Sequence, residues 1–504
     1  MTVLERPPNL SGQDYLPHIK VAPVRVGVFG IGLATYWPQF AGLKERLEGY
    51  QRQVEAKLIE DGCTVISAGL VDNAPAARVA GDLFSRENVD LIICYVGTYA
   101  TSSQVLPAVQ HTGRPVLVLN LQPVAVLDYD HTDTGEWLAN CCACVVPEIA
   151  GAFTRCGIKF NVVSGLLGEE AGPAGAKAWA EIRDWVSAAR VVRSLRYGRI
   201  GFLGHTYPGM LDMYSDFTMI SAQTGLHIEI LEIDDLQKRV EMVTPAQIQS
   251  TIALVRELFE VSADSPSDPI AKAPQLEEME WAARVAVGLD QLRQDFDLTA
   301  LSYYYRGLDD NDNERLQAGV ILGNTLLTAR GVPCAGEGDT KNALAMLIMD
   351  RLGAGGSFTE FYAMDFIDNL VIMGHDGPFH LQIADGKPAL RGLGLYHGKR
   401  GKGVSVEARV RNGPITLLGV TQTVDGRLKL IVAEGESVPG AVLHIGNTNS
   451  RLKFGVSPAE FMDRWCEQGP THHCAMGVGY QAGRIEKLGR LLGLEVSYVG
   501  LRHN

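Results

Sequence analysis

The rhythm of apolar and polar positions changes twice along the chain. Val24–Phe29 is a solid apolar run that ends in Gly30-Ile31-Gly32, and helical spacing follows from about Phe40 to Asp61. Thr64–Leu70 alternates, while Val89–Tyr95 and Pro115–Asn120 are short, continuous apolar runs. Runs of that length suit strands buried on both faces, and their alternation with helices predicts a doubly wound α/β layer. Sites in such sheets lie beyond the carboxyl ends of the strands. Tyr36-Trp37, Gly97-Thr98-Tyr99 and Asn120-Leu121-Gln122 gather there.

A Gly/Ala-rich stretch, Gly168–Lys177, leads into a helix over Ala178–Val192, and Arg199–Gly204 starts a second α/β unit. The turn after it, His205–Met210, has the polar-aromatic composition of a binding loop. A loop rich in Pro, Ser and Asp (Ala263–Gln275) is followed by helix Glu278–Asp295, strand Leu298–Tyr304, loop Tyr305–Asp312 and a helix over Asn313–Arg330 that stops at Gly331. From Asn369 the pattern turns to short β-rich segments, Asn369–Met373, Val404–Val410, Ile415–Gln422 and Leu428–Ala433, which predict an antiparallel sheet or barrel. Ser457-Pro458-Ala459-Glu460 starts one more helix. The predicted architecture is two doubly wound, Rossmann-like α/β domains (1–196 and 197–355) followed by a β-rich, barrel-like C-terminal domain (356–504).

Composition narrows the function. With 504 residues, 46% apolar, and a net charge of -13, the chain has a large core and lacks the basic surface that nucleic acid requires. Its one basic cluster, Lys399-Arg400-Gly401-Lys402, reads as a solvated hairpin turn. Residues 1–24 contain Pro7, Pro8 and Pro17 and no signal-peptide run, and no stretch of about 18 apolar residues suggests a membrane span. Nine cysteines, an odd number, suit reduced thiols in the cytoplasm. Cys141-Cys142-Ala143-Cys144 sits among apolar neighbours and reads as a buried small-residue helix with no chemistry assigned. The Gly30-Ile31-Gly32 run is an incomplete dinucleotide fingerprint, since Thr35 occupies the third glycine position.

The chemistry concentrates late in the chain. Ala335-Gly336-Glu337-Gly338-Asp339, Glu360, His375 and the pair His472-His473 supply two carboxylates and two imidazoles. That is a divalent-metal ligand set, for Mn²⁺ with Mg²⁺, Co²⁺ or Fe²⁺ as alternatives. A Glu between two glycines suits a bent backbone that comes close to an ion or substrate.

Cys334-Ala335-Gly336-Glu337-Gly338-Asp339-Thr340-Lys341 resembles the acidic metal motif of the L-arabinose isomerases. Gly356–Glu360, Asp368–Val371, Gly374-His375 and Thr471-His472-His473 follow in that family's order. The similarity extends from about Tyr303 to the C-terminus and is mainly architectural before residue 300; the wider group includes the fucose isomerases. The resemblance implies that Glu337, Glu360, His375 and His473 hold the metal, with Asp365 the alternative to Glu360, and that the two glutamates move protons between C1 and C2 of an open-chain sugar. It implies His472 and Tyr305 as substrate-facing residues and a homo-oligomer, trimer or hexamer; by position in the chain Tyr36, Trp37 and Met210 join the substrate-facing set, and Asp339 orients a ligand or the helix start. The family's Gln-His-Leu-Tyr-Gly turn is replaced here by Leu33–Trp37, and its His-Gly-Gly by Asn140-Cys141-Cys142. These departures put arabinose itself in doubt more than the reaction type.

Overall fold

A computed structural model describes residues 16–264, 271–305, 312–393 and 403–500. Arg306-Gly307, His397 and the cluster Lys399–Lys402 lie outside them. The chain forms two compact units, Val21–Arg193 and Ser194 onward, with residues 16–20 belonging to the second.

The first unit is a parallel sheet of β1 (Arg25–Ile31), β2 (Thr64–Val71), β3 (Leu91–Tyr95), β4 (Val116–Gln122) and β5 (Phe160–Leu166), in the order β2-β1-β3-β4-β5. The solid apolar runs are its buried strands, with β3 buried throughout. The glycines after β1 serve packing: Gly30 N donates to the buried Gln51 side chain at 3.0 Å, and a Cβ on Gly32 would strike the Trp37 indole at 2.8 Å. One expectation is corrected here. Residues 141–145 connect helices Thr134–Leu138 and Val146–Arg155 without helical structure, turning at 143–145. Pro147, in the first turn of the second helix, starts a new helix instead of continuing the old one.

The second unit contains β6 (Arg199–Gly204), β7 (His227–Leu231), β8 (Glu260–Val261), β9 (Ala271–Lys272), β10 (Ala300–Tyr304) and β11 (Cys334–Ala335). Its barrel region follows with β12 (Gly355–Asp365), β13 (Leu370–His375), β14 (Ala389–Leu393), β15 (Gly403–Glu407) and β16 (Gly413–Gln422). The last strands are β17 (Leu428–Ser437), β18 (Thr448–Lys453), β19 (His473–Val478) and β20 (Glu495–Val499). A parallel sheet runs β11-β10-β6-β7. The path β16-β19-β12-β13-β18-β17 closes through the β16–β17 pairing into a six-stranded antiparallel barrel, with β20 added in parallel to β17. Alternate residues such as Ile415 and Leu417, Ile431 and Ala433, and Cys474, Met476 and Val478 share its core. The strand expected over Val404–Val410 joins a small separate sheet with β14, β8 and β9 instead of the barrel. The helix expected over Asn313–Arg330 is two, Asp312–Ala318 and Val320–Ala329, broken at Gly319 where a Cβ would meet Val285 at 2.7 Å.

Helix Thr340–Arg351 positions the site. Almost every residue of it is buried, because it packs against β10 and β11 on one side and β12, β16 and β19 on another. Among the described residues, no helix is long and apolar enough to cross a membrane.

Candidate metal centre

The loops after β6 and β11, with Tyr303 and Tyr304 at the carboxyl end of β10, meet the outer face of the barrel. The turn after β11 bends sharply: Glu337 has φ +59° and Gly338 φ +71°. A positive φ is uncommon for a Glu, and such strain gathers at functional positions. Backbone bonds hold the turn, with Gly338 N donating to Tyr303 O at 2.9 Å and Tyr207 N to Glu337 O at 2.8 Å. Gly338 is required sterically, since a Cβ there would lie 2.5 Å from His205 O.

The barrel supplies the other side. On β12, Phe358 and Glu360 are two residues apart and share a face. Glu360 is paired in register with His473 on β19 and with Gly374 on β13, one residue before His375. Phe358 packs between the imidazoles of His375 and His473, with ring centroids 4.3 Å from each. Ligand atoms of Glu360, His375 and His473 lie within 4.8 Å of one another, and so do those of Glu337, His472 and His473. His473 belongs to both groups and joins them.

Asp339 does two jobs. One carboxylate oxygen accepts from Asn342 N at 2.9 Å and caps helix Thr340–Arg351, while the other lies 3.0 Å from His473 Nδ1. Both side chains are fully buried. The carboxylate selects the tautomer with the proton on Nδ1, which leaves the Nε2 lone pair directed towards Glu337 Oε2, 3.6 Å away. Neither of those two buried atoms has a hydrogen-bond partner. Two buried lone-pair acceptors facing each other without a proton between them fit a cation. His375 is oriented comparably, with Nδ1 3.0 Å from the carbonyl of Asp376.

His472 faces the same carboxylate from outside the barrel. Asp212 accepts from its backbone N at 2.9 Å and lies 2.7 Å from its Nδ1, while its Nε2 is 3.6 Å from Glu337. Burial would lower the His472 imidazole, but Glu337 and Asp212 outweigh it and raise it to about 9. Burial would likewise raise the Glu337 carboxyl, but His472, His473 and His375 bring it down to about 2. Glu337 is therefore an anion across the neutral range.

A cleft beside Glu337 and His375 is walled by Tyr207, Tyr303, Tyr304, Gln317, Phe358 and Asp376. The predicted residues fall in different places. Glu337, Glu360, His375, His472, His473 and Asp339 come together. Asp365 is further along β12, where its carboxylate accepts from Ile367 N and Asp368 N in the hairpin. Met210 is on the loop after β6, next to the short turn Leu211–Met213 that carries Asp212. Tyr305 is fully buried in the core of the central sheet, and Tyr303 and Tyr304 form the cleft wall instead. Tyr36 and Trp37 are in the N-terminal unit, where Trp37 Nε1 donates to Asp72 at 2.7 Å. The residue pattern did not single out Asp212, Tyr304 or Asp376, whereas Tyr207 lies in the expected binding loop His205–Met210. Asp212 was two residues from the loop already singled out, and Asp376 directly follows His375.

The central domain of L-arabinose isomerase matches residues 215–355, and the C-terminal domain of L-arabinose isomerase matches 355–495, together more than half of the chain. An L-arabinose isomerase of Saccharophagus degradans is 22% identical over 90% of this chain and 87% of its own length. Another, from Shewanella baltica, is 21% identical over 82% of this chain and 81% of its own. Among solved structures, a periplasmic solute-binding protein of Actinobacillus succinogenes 130z with bound D-allose aligns at 13% identity over 66% of this chain and 92% of that one; its TM-score of 0.17 is too low to bear on fold or function. The chain is a sugar isomerase, an intramolecular oxidoreductase. It belongs to the L-arabinose isomerase family.

Proposed function

We propose that the protein is a divalent-metal-dependent aldose–ketose isomerase acting on a pentose, deoxyhexose or related sugar, with Glu337, Glu360, His375 and His473 holding the metal. The observation that carries this reading is the buried pair His473 Nε2 and Glu337 Oε2, 3.6 Å apart and without hydrogen bonds, beside a second carboxylate and a second imidazole. Mixed oxygen and nitrogen donors favour Mn²⁺, with Mg²⁺, Co²⁺ or Fe²⁺ as alternatives. When bound, the ion supplies Lewis-acid polarisation of the sugar's carbonyl and neighbouring hydroxyl.

The chain's own groups do the rest. Of the two carboxylates, one takes the carbon-bound proton and the other returns a proton to the adjacent carbon, through an enediolate. Asp339 fixes the His473 tautomer, and Asp212 holds His472 over Glu337. The tyrosines lining the cleft present phenols to sugar hydroxyls and keep bulk water from the reacting carbons. Tyr36, Trp37, Met210 and His472 belong to the sugar-recognition set of this proposal. The relatives named for L-arabinose are only 21–22% identical, and Leu33–Trp37 and Asn140–Cys142 depart from the family's motifs, so a sugar other than L-arabinose is included. A cytoplasmic homo-oligomer, trimer or hexamer, with domains 1–196, 197–355 and 356–504, completes the reading.

The test is turnover of an aldose and ketose panel after EDTA stripping and Mn²⁺ add-back, with products identified by NMR. Mn²⁺-dependent interconversion of one pair supports the proposal and names the sugar. Failure to interconvert any pair, with metal bound, overturns it.

A further inference from the structure

Lys341, the second residue of helix Thr340–Arg351, carries a charge and is only 1% exposed. Burying an ammonium is costly unless it is hydrogen-bonded. Its Nζ donates to the Tyr214 carbonyl at 2.9 Å and to Ser215 Oγ at 3.1 Å. Ser215 Oγ in turn donates to the Met213 carbonyl at 2.8 Å. These groups belong to the segment that directly follows Asp212. Leu211 and Tyr214 are exposed, so Lys341 and the buried Met213 tie a largely exposed segment to the interior. Asp212 is the residue that holds His472, accepting from its backbone N at 2.9 Å and lying 2.7 Å from its Nδ1. One helix start therefore acts on both imidazoles beside Glu337. Asp339, the cap residue, contacts His473 directly, and Lys341 reaches His472 through the Asp212 segment. Burial pulls the Lys341 ammonium below its ordinary value, and the Asp339 and Asp212 carboxylates act the other way.

We propose that Lys341 is a positioning residue that fixes segment 211–215, so that Asp212 keeps His472 turned towards Glu337. The placement rests on the hydrogen bonds, and its consequence for turnover rests on the proposed isomerase reading, in which His472 faces the sugar. A lysine suits this task, because a compact ammonium on a long apolar stem crosses from the helix start to acceptors on two successive residues while the stem stays buried. Methionine fills much of the same stem volume and cannot donate, so Lys341→Met isolates the hydrogen bonds. Without the ammonium, the Tyr214 carbonyl and the Ser215 hydroxyl turn to water, and Asp212 is released with them. His473 keeps its partner, since its contact with Asp339 does not run through Lys341.

The His472 backbone N–H donates to Asp212, so its hydrogen exchange reports the placement without any sugar. The experiment follows amide exchange at single-residue resolution by mass spectrometry in the full-length protein, in Lys341→Met, in Asp212→Ala and in the double variant. The expected result is loss of protection at His472 in Lys341→Met, unchanged exchange within helix Thr340–Arg351, and a double variant that matches Asp212→Ala, because both changes act through one bond. Where a sugar pair is turned over, kcat/KM falls about 10–100-fold in Lys341→Met and no further in the double variant than in Asp212→Ala. If no sugar is turned over, the isomerase reading fails and the exchange result alone decides the positioning role. Should Lys341→Met not fold, Ser215→Ala removes one of the two acceptors and gives the same test with a smaller loss of protection. Unchanged exchange at His472, faster exchange throughout the helix, or losses in kcat/KM that multiply in the double variant overturn the proposal.

Discussion

Replacing Asp339 by Asn tests whether the buried carboxylate orients a metal ligand. The two oxygens of Asp339 serve two donors, Asn342 N at the helix start and His473 Nδ1. An asparagine has only one oxygen, and the backbone N–H can only donate, so the cap claims it. The amide NH₂ is then left facing His473 Nδ1, which must accept, and the imidazole proton moves to Nε2. That nitrogen is the one directed at Glu337, and a protonated Nε2 cannot bind a cation. Loss of such an orienting partner weakens metal affinity about 10–100-fold, roughly 1.4–2.7 kcal/mol. Asp339→Ala removes the cap as well, about 1 kcal/mol, and leaves a buried N–H unpaired for roughly 1–3 kcal/mol more. Titration calorimetry with Mn²⁺ reads the first effect, and urea unfolding of the stripped protein reads the second. Asp339→Asn should keep near-native stability and lose affinity, whereas Asp339→Ala should lose both. Mn²⁺ affinity in Asp339→Asn within about threefold of the native protein would refute the reasoning.

Glu337→Gln and Glu360→Gln should each lower kcat by about 10²–10⁴-fold, the range for loss of a positioned acid or base, and loss confined to KM would argue against their role in proton transfer. Gly338→Ala should destabilise by at least about 1–3 kcal/mol, because its φ of +71° is unfavourable and the Cβ would meet backbone of His205 and Thr206; native-like unfolding would contradict this. The hydrogen bond from His18 to Asp350, larger than the opposing effect of burial, raises the His18 imidazole above its ordinary value. Its stabilisation is therefore complete below about pH 6.5 and fades as pH rises through the raised value. The stability gap between native protein and His18→Gln should narrow from about pH 5.5 to about pH 9 in urea titrations; a gap that widens would show the sign to be wrong.

The site was legible where chemistry and backbone share one short motif. Gly336-Glu337-Gly338 announces itself because only a glycine fits beside His205 O and the bend leaves Glu337 at positive φ. Glu360 and His473 are adjacent only through strand register, which a β-rich texture suggests without fixing. Asp212 lies 260 residues from the His472 it holds, so no local pattern could pair them. The two α/β sheets and the barrel were readable from solid runs and short alternating segments. The break at Gly319 was not, because it comes from close contact with Val285 and Trp281 of another helix. The strand over Val404–Val410 looked like a barrel strand for the same reason, since periodicity reports a buried face and not which sheet buries it.

The central claim is that Glu337, Glu360, His375 and His473 hold one divalent cation. Anomalous diffraction from Mn²⁺-soaked crystals at the manganese edge tests it most directly. The account predicts a strong anomalous peak among those four side chains, lost in Glu337→Gln. A catalytically active, Mn²⁺-dependent crystal form with its peak elsewhere, or with none at this cluster, would contradict it.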